Sequence, residues 1–250
     1  MIASEAAYHL SYYDTAREYA LIAMEHAEDP EDSAHAVHLL GAALAFYDPA
    51  EAEEVLTELL SRNDSDYVQL HKPAILTSLA WAYERRRDAL AITVYRQAAQ
   101  AYLAQGRPER AVSPLQNAAW LALLAGELDE GHGLLNDAGE YLSEAGTDER
   151  THQEALEAYA LLQSGERYAA ICRAEELLHP GRRDTTPWAQ TLAAIVAAEV
   201  ALHEGLYDYA AGLTAWAGER AQAAGCTKLS NLLGDLRRRV RESGVRCGAS

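Results

Sequence analysis

The chain has 250 residues, 49% of them hydrophobic, which is enough apolar material for an extensive core and excludes a chain disordered by composition. Its 38 acidic against 21 basic side chains give a net charge of -17, a field that repels nucleic acid and anionic membranes and favours a neutral or basic partner. Ala and Leu dominate, Val, Ile and Thr are sparse and Phe occurs once, a balance that favours helix over strand.

No run approaches the roughly 20 consecutive apolar residues of a membrane span, and Met1 to Ser11 lacks the charged-then-apolar layout of a signal peptide. A cytoplasmic protein is expected. Cys172, Cys226 and Cys247 form no CxxC pair, which fits a reduced compartment, and each is expected to be a small buried or terminal residue. Cys172, within Ala169-Ala170-Ile171-Cys172, reads as core.

A recurring break organises the chain. Small residues five apart, one closing a helix and one opening the next apolar period, occur at Gly126/Gly131, Gly165/Ala170 and Gly205/Ala210, and weaker copies at Ser11/Ala16, Tyr47/Ala52 and Arg86/Ala91 carry the register upstream. Taken in order, an N-terminal helix pair (2–10 and 14–28, within 1–30) precedes helix hairpins filling 31–225. Their helices are predicted at 33–46 with 50–62, 73–86 with 88–105, 109–125 with 128–145, 149–163 with 167–178, and 187–204 with 207–224. A last helix at 228–242, within a cap at 227–243, carries Leu229, Leu232, Leu233, Leu236 and Val240 on one stripe, and 244–250 is expected to be a disordered tail. The longest polar connections are 63–72 and 179–186, neither long enough to split the chain, so one domain over 1–250 is expected. Ala16, Ala52, Gly131, Ala170 and Ala210 sit at matching places, where small side chains let helices approach closely.

Leu39-Leu40-Gly41-Ala42-Ala43-Leu44 and Gly205-Leu206-Tyr207-Asp208-Tyr209-Ala210-Ala211, with the Ala-rich second helices, resemble the tetratricopeptide repeat (TPR) family. The period, near 39 to 40, is longer than the family's common repeat, and looks like that of bacterial regulators: peptide-pheromone sensors of the Rap, NprR and PlcR type and MalT-like activators. The resemblance implies an all-α, right-handed α-α superhelix, a TPR-like solenoid of about six helix hairpins plus a capping helix. It implies a concave groove, lined by first helices, that holds a peptide. Those sensors often carry an N-terminal helix-turn-helix domain, for which the roughly ten residues before the first break leave no room.

Aligned by their closing breaks, the first helices bring Ala42, Trp81, Trp120, Tyr159 and Glu199 into one column. The family places that column toward the groove, where Trp81, Trp120 and Tyr159 would form an aromatic ladder, each combining apolar area with a polar handle. Packing between repeats is the competing explanation. Earlier on the same face lie His38 and Gln116, then His35, Ser113 and His152, and with Asn117 they make a polar middle suited to hydrogen-bonding an extended backbone. Glu84 and Glu199 would add acidic specificity at the rims.

Motifs for metal, nucleophile and phosphate chemistry (HExxH, GxSxG, GxxxxGK[ST]) are absent, so no enzyme and no cofactor is expected. His35 and His38 could share a metal but lack a third ligand nearby, which makes two solvent-facing histidines the expectation and no metal site. Arg85-Arg86-Arg87 and Arg237-Arg238-Arg239 with Arg241 read as solvated or dipole-complementing charge rather than a nucleic-acid surface. The sequence therefore points to a regulatory or adaptor protein that binds a peptide or protein segment in its groove. The alternatives are the sensor part of a transcription regulator without its helix-turn-helix domain, and a scaffold that self-associates, for instance as a homodimer.

Overall fold

The computed structural model describes residues 13–62, 65–224 and 226–247, and all regular structure among them is helical. The helices are α1 (Tyr13–Glu25), α2 (Pro30–Leu44), α3 (Pro49–Ser61), α4 (Asp66–Arg85), α5 (Leu90–Ala104) and α6 (Pro108–Ala125), followed by α7 (Leu128–Glu140), α8 (Thr147–Gln163), α9 (Arg167–Leu178), α10 (Pro187–His203), α11 (Tyr207–Ala223) and α12 (Ser230–Cys247). The helix expected at 2–10 lies outside the described residues.

Two compact units divide the chain, Met1–Leu121 and Ala122–Ser250, and the division falls inside α6 rather than in a linker. Within the first, each of α1 to α4 packs on the next, and α2 also packs on α4. Within the second, α7 to α12 follow the same neighbour rule, and α8 packs on α10 and α10 on α12. Hairpin neighbours plus contact between successive first helices make an α-α solenoid, in which no single hairpin can bury its own apolar face.

The periodicity that announces the helices also fills their core. In the first unit Leu39, Leu40, Leu44, Ala52 and Ala82 form a cluster, with Phe46, Val55 and Trp81 packed against it. In the second, α10 buries Leu192, Ile195 and Val196, α12 contributes Leu233, Leu236 and Val240, and the 3-10 turn before it adds Leu229. Each fully buried Leu, Ile or Val among these stabilises the fold by roughly 1.5–3 kcal/mol relative to exposure. Ala16, Ala52, Ala170 and Ala210 have no exposed surface, and Gly131 is buried. Two helices approach closely at Gly41, where a Cβ would lie 2.5 Å from Leu56 Cδ2 of α3.

Pro and Asp set several starts: Asp29 and Asp48 accept from the backbone N–H groups of Asp32 and Glu51, and Pro30 and Pro49 open the helices that follow. Left-handed residues set the stops. At Gly126 (φ 81°) the amide donates to Leu123 O while Glu127 N donates to Ala122 O, the paired bonds of a Schellman cap. Arg87 adopts the same geometry at φ 57° without being glycine, with Arg87 N donating to Glu84 O and Asp88 N to Tyr83 O.

Three expectations change. α4 starts at Asp66 rather than at Pro73, because Ser65 caps Val68 N and Gln105 Nε2 donates to the carbonyls of Gln69 and Leu70 (3.1 and 3.0 Å), the first of which Pro73 leaves without its helical partner. α12 runs past residue 243 to Cys247, into the stretch expected to be a tail. Cys172 is exposed, since the buried stripe of α9 is Ala170, Ala174 and Leu177 and a residue two places from Ala170 points away from it.

Candidate functional site

The first helices carry the candidate residues, and exposure divides those residues sharply. In the first unit Glu31 of α2 accepts from Tyr67 N and from Ser65 Oγ (3.2 Å), holding the start of α4 against α2. This brings His35, Tyr67 and His71 into one stack, with ring centroids 5.2 and 4.3 Å apart. His38 lies beside them. Ser78 Oγ donates to Ala74 O, so it accepts from His38 Nε2 (3.3 Å), which leaves His38 Nδ1 to accept from the Tyr67 hydroxyl (2.9 Å). Both ring nitrogens are engaged, and His38 is not the solvent-facing group expected. Burial, assisted by the nearby His35 and His71, pushes its pKa down to about 3.

Trp81 is half-buried, its ring 5.9 Å from Phe46. Glu84 is not a free rim carboxylate: it accepts from the Tyr95 hydroxyl at 2.6 Å and ties α4 to α5. In α6, Gln116 and Trp120 are only 4% and 3% exposed, Asn117 is half-buried and Ser113 is open to solvent. A ladder that offers its aromatic faces to a ligand needs access that Trp120 lacks; its indole serves the core.

In the second unit Tyr159 is 5% exposed, and burial raises its phenol pKa. His152 meets Trp188 edge-on at 4.7 Å, and burial lowers its pKa against the opposing pull of Asp148 and Glu149. Glu199 forms an ion pair with Arg239 of α12. Around these, α8, α10 and α12 enclose a cleft of about 380 Å³ with Tyr159, Leu162, Ile195 and Leu232 as its apolar lining and Glu199, Asp235, Arg238 and Arg239 among its charged groups. Two residues of the predicted column, Tyr159 and Glu199, therefore reach one cavity. Arg239 and Leu232 complete it and were assigned by sequence to a dipole effect and a packing stripe. The signal that pairs Arg239 with Glu199 was present: they are 40 positions apart, one repeat length, as are His38 and Ser78.

Among the described residues no group of His, Cys, Asp or Glu side chains is arranged to hold a metal ion, and no helix is long and apolar enough to cross a membrane. No family model matches the sequence, and no curated protein matches it. Solved structures match the fold. BtubC (BKLC) from P. vanneervenii is similar over 88% of this chain and 92% of its own, with a TM-score of 0.60 at 18% identity. A tetratricopeptide repeat protein from Parabacteroides merdae ATCC 43184 is similar over 95% of this chain and 96% of its own, with a TM-score of 0.52 at 14% identity. The fold is TPR-like.

Proposed function

We propose that the chain is a regulatory or adaptor protein that binds a peptide or protein segment through its first-helix face, with the cleft between α8, α10 and α12 as an anchoring point. The observation that carries this is the convergence of Tyr159 and Glu199, chosen from repeat register alone, on one cavity. Its charges are largely paired within the protein: Glu199 with Arg239, and Asp235 with Arg238 at 3.2 Å. The apolar lining of Leu162, Ile195 and Leu232 is left to select an aliphatic or aromatic side chain, with the Tyr159 edge and the ion pairs as hydrogen-bonding rim. A neutral or basic segment also suits the surplus of carboxylates over the whole chain. Half-buried Trp81 and Asn117 and exposed Ser113 provide further contact surface in the first unit.

Selection of a displayed random-peptide library on the intact chain, followed by calorimetry on the enriched peptides, tests the proposal. Leu162→Asp, at a half-buried position on the cleft, should weaken their binding at least about tenfold while the helical circular dichroism is kept. Enriched peptides that bind this folded variant as well as the parent, or a library that yields none, would sink the proposal.

A further inference from the structure

The net charge of -17 is unevenly placed. The first 66 residues hold fifteen carboxylates against two bases, Arg17 and Arg62, whereas from Arg220 onward seven bases face Asp235 and Glu242. The fold puts these opposite charges on the first and last described helices. On α1 only Ala16 and Ala20 are buried, and Glu18 and Glu25 lie exposed with Tyr19 (42%) and Ile22 (50%). Neither carboxylate has a cation in ion-pair range among the described residues. On α12 the apolar stripe of Leu233, Leu236 and Val240 faces inward and leaves Arg237, Arg238 and Arg241 exposed, Arg237 with its guanidinium laid across α11 and Arg238 at the edge of the α8, α10 and α12 cleft. Arg238 is shared by Asp235 and Glu242, while Arg237, lying over Gly218, and Arg241, whose Nε donates to Arg237 O, have no carboxylate partner among the described residues.

Opposite signs on these two helices have a consequence: each surface repels its own copy and attracts the other. We infer that the chain associates with a second copy of itself head to tail, the outer face of α12 of one copy docking on the outer face of α1 of the next. Guanidinium groups suit that surface because they pair with Glu18 and Glu25 through two parallel hydrogen bonds and stack on the Tyr19 ring. The contact joins unlike surfaces, so each pair keeps one free surface of each sign and association continues past the dimer.

Sedimentation velocity at about 20 mM and about 500 mM salt tests this, since the screening length falls from well over 10 Å to a few ångströms across that range. Mass should rise with protein concentration at low salt and return to the monomer at high salt. Two variants fix the geometry: Glu18→Lys with Glu25→Lys, and Arg237→Glu with Arg238→Glu and Arg241→Glu. Each alone should be monomeric at concentrations at least tenfold above those at which the parent associates. Mixed together they should associate again with copies of the two variants alternating, because the reversed surface of each also complements the other, and that recovery cannot arise from misfolding. A parent chain that is monomeric at low salt, including one whose arginines instead retain a DNA duplex, overturns the inference. So does a mixture in which no dimer appears.

Discussion

At the scale of single residues, His38 shows how a side chain nominated for binding becomes part of the frame. Its ring accepts from Tyr67 and donates to Ser78, an arrangement that only the neutral imidazole can satisfy. The unfolded chain takes up this proton near pH 6.5, but the folded chain resists it to about pH 3. The unfolded state therefore binds more protons as pH falls, so this contribution to stability is complete above 6.5 and is lost progressively below it. Between pH 6.5 and pH 5 the loss is about 2 kcal/mol. Urea denaturation across that range should show it, and His38→Gln, which keeps a donor and an acceptor without titrating, should flatten the slope by about that amount. A residual slope of the same sign is expected from His152, whose pKa is also lowered by burial. An unchanged slope in His38→Gln would remove the assignment. The sequence could show that His38 lies on a first helix near His35, but not that Tyr67 and Ser78, 29 and 40 positions further along the chain, engage both its nitrogens.

At the scale of the element, what was legible follows from period and punctuation. Glycine stops and the 39- to 40-residue spacing placed the hairpin turns, and Arg167–Leu178 was read to the residue. Several of the failures trace to a partner distant in sequence. Pro73 reads as a helix start because proline is favoured there, and only Gln105, 36 positions on, explains how a helix survives it. Trp120 and Tyr159 fall on the face nominated for a ligand, but exposure depends on what packs over that face, which a periodicity does not reveal. The Arg87 side chain is exposed, as a solvated charge should be, and its backbone in addition caps α4. A non-glycine residue at φ 57° is strained by about 1 kcal/mol. Arg87→Gly should raise the stability of the chain by about 0.5–1 kcal/mol, the relief being partly offset by the greater freedom of glycine when unfolded. Thermal or urea unfolding measures it, and a variant no more stable than the parent would show that the Arg87 side chain contributes more than its backbone costs.

At the scale of the whole molecule, a solenoid is stabilised by contacts between near neighbours, so damage should stay where it is made. The sequence displayed the repeat, yet nothing in its composition marks the division inside α6, because helix-to-helix contacts decide it and no loop does. Leu236 tests locality. It is fully buried in α12, which packs on α10 and α11 within the second unit. Leu236→Ala should cost about 2–5 kcal/mol through lost burial and the cavity left behind. Under a single cooperative core that cost would appear at every slowly exchanging amide. Under nearest-neighbour stability, hydrogen exchange should quicken in α10, α11 and α12 and remain unchanged in α2 to α5. Uniform loss of protection across both units would mean that the chain unfolds as one cooperative block despite its repeats. Retained protection in α2 to α5 would leave the acidic surface of α1 to be tested with the opposite end of the chain weakened.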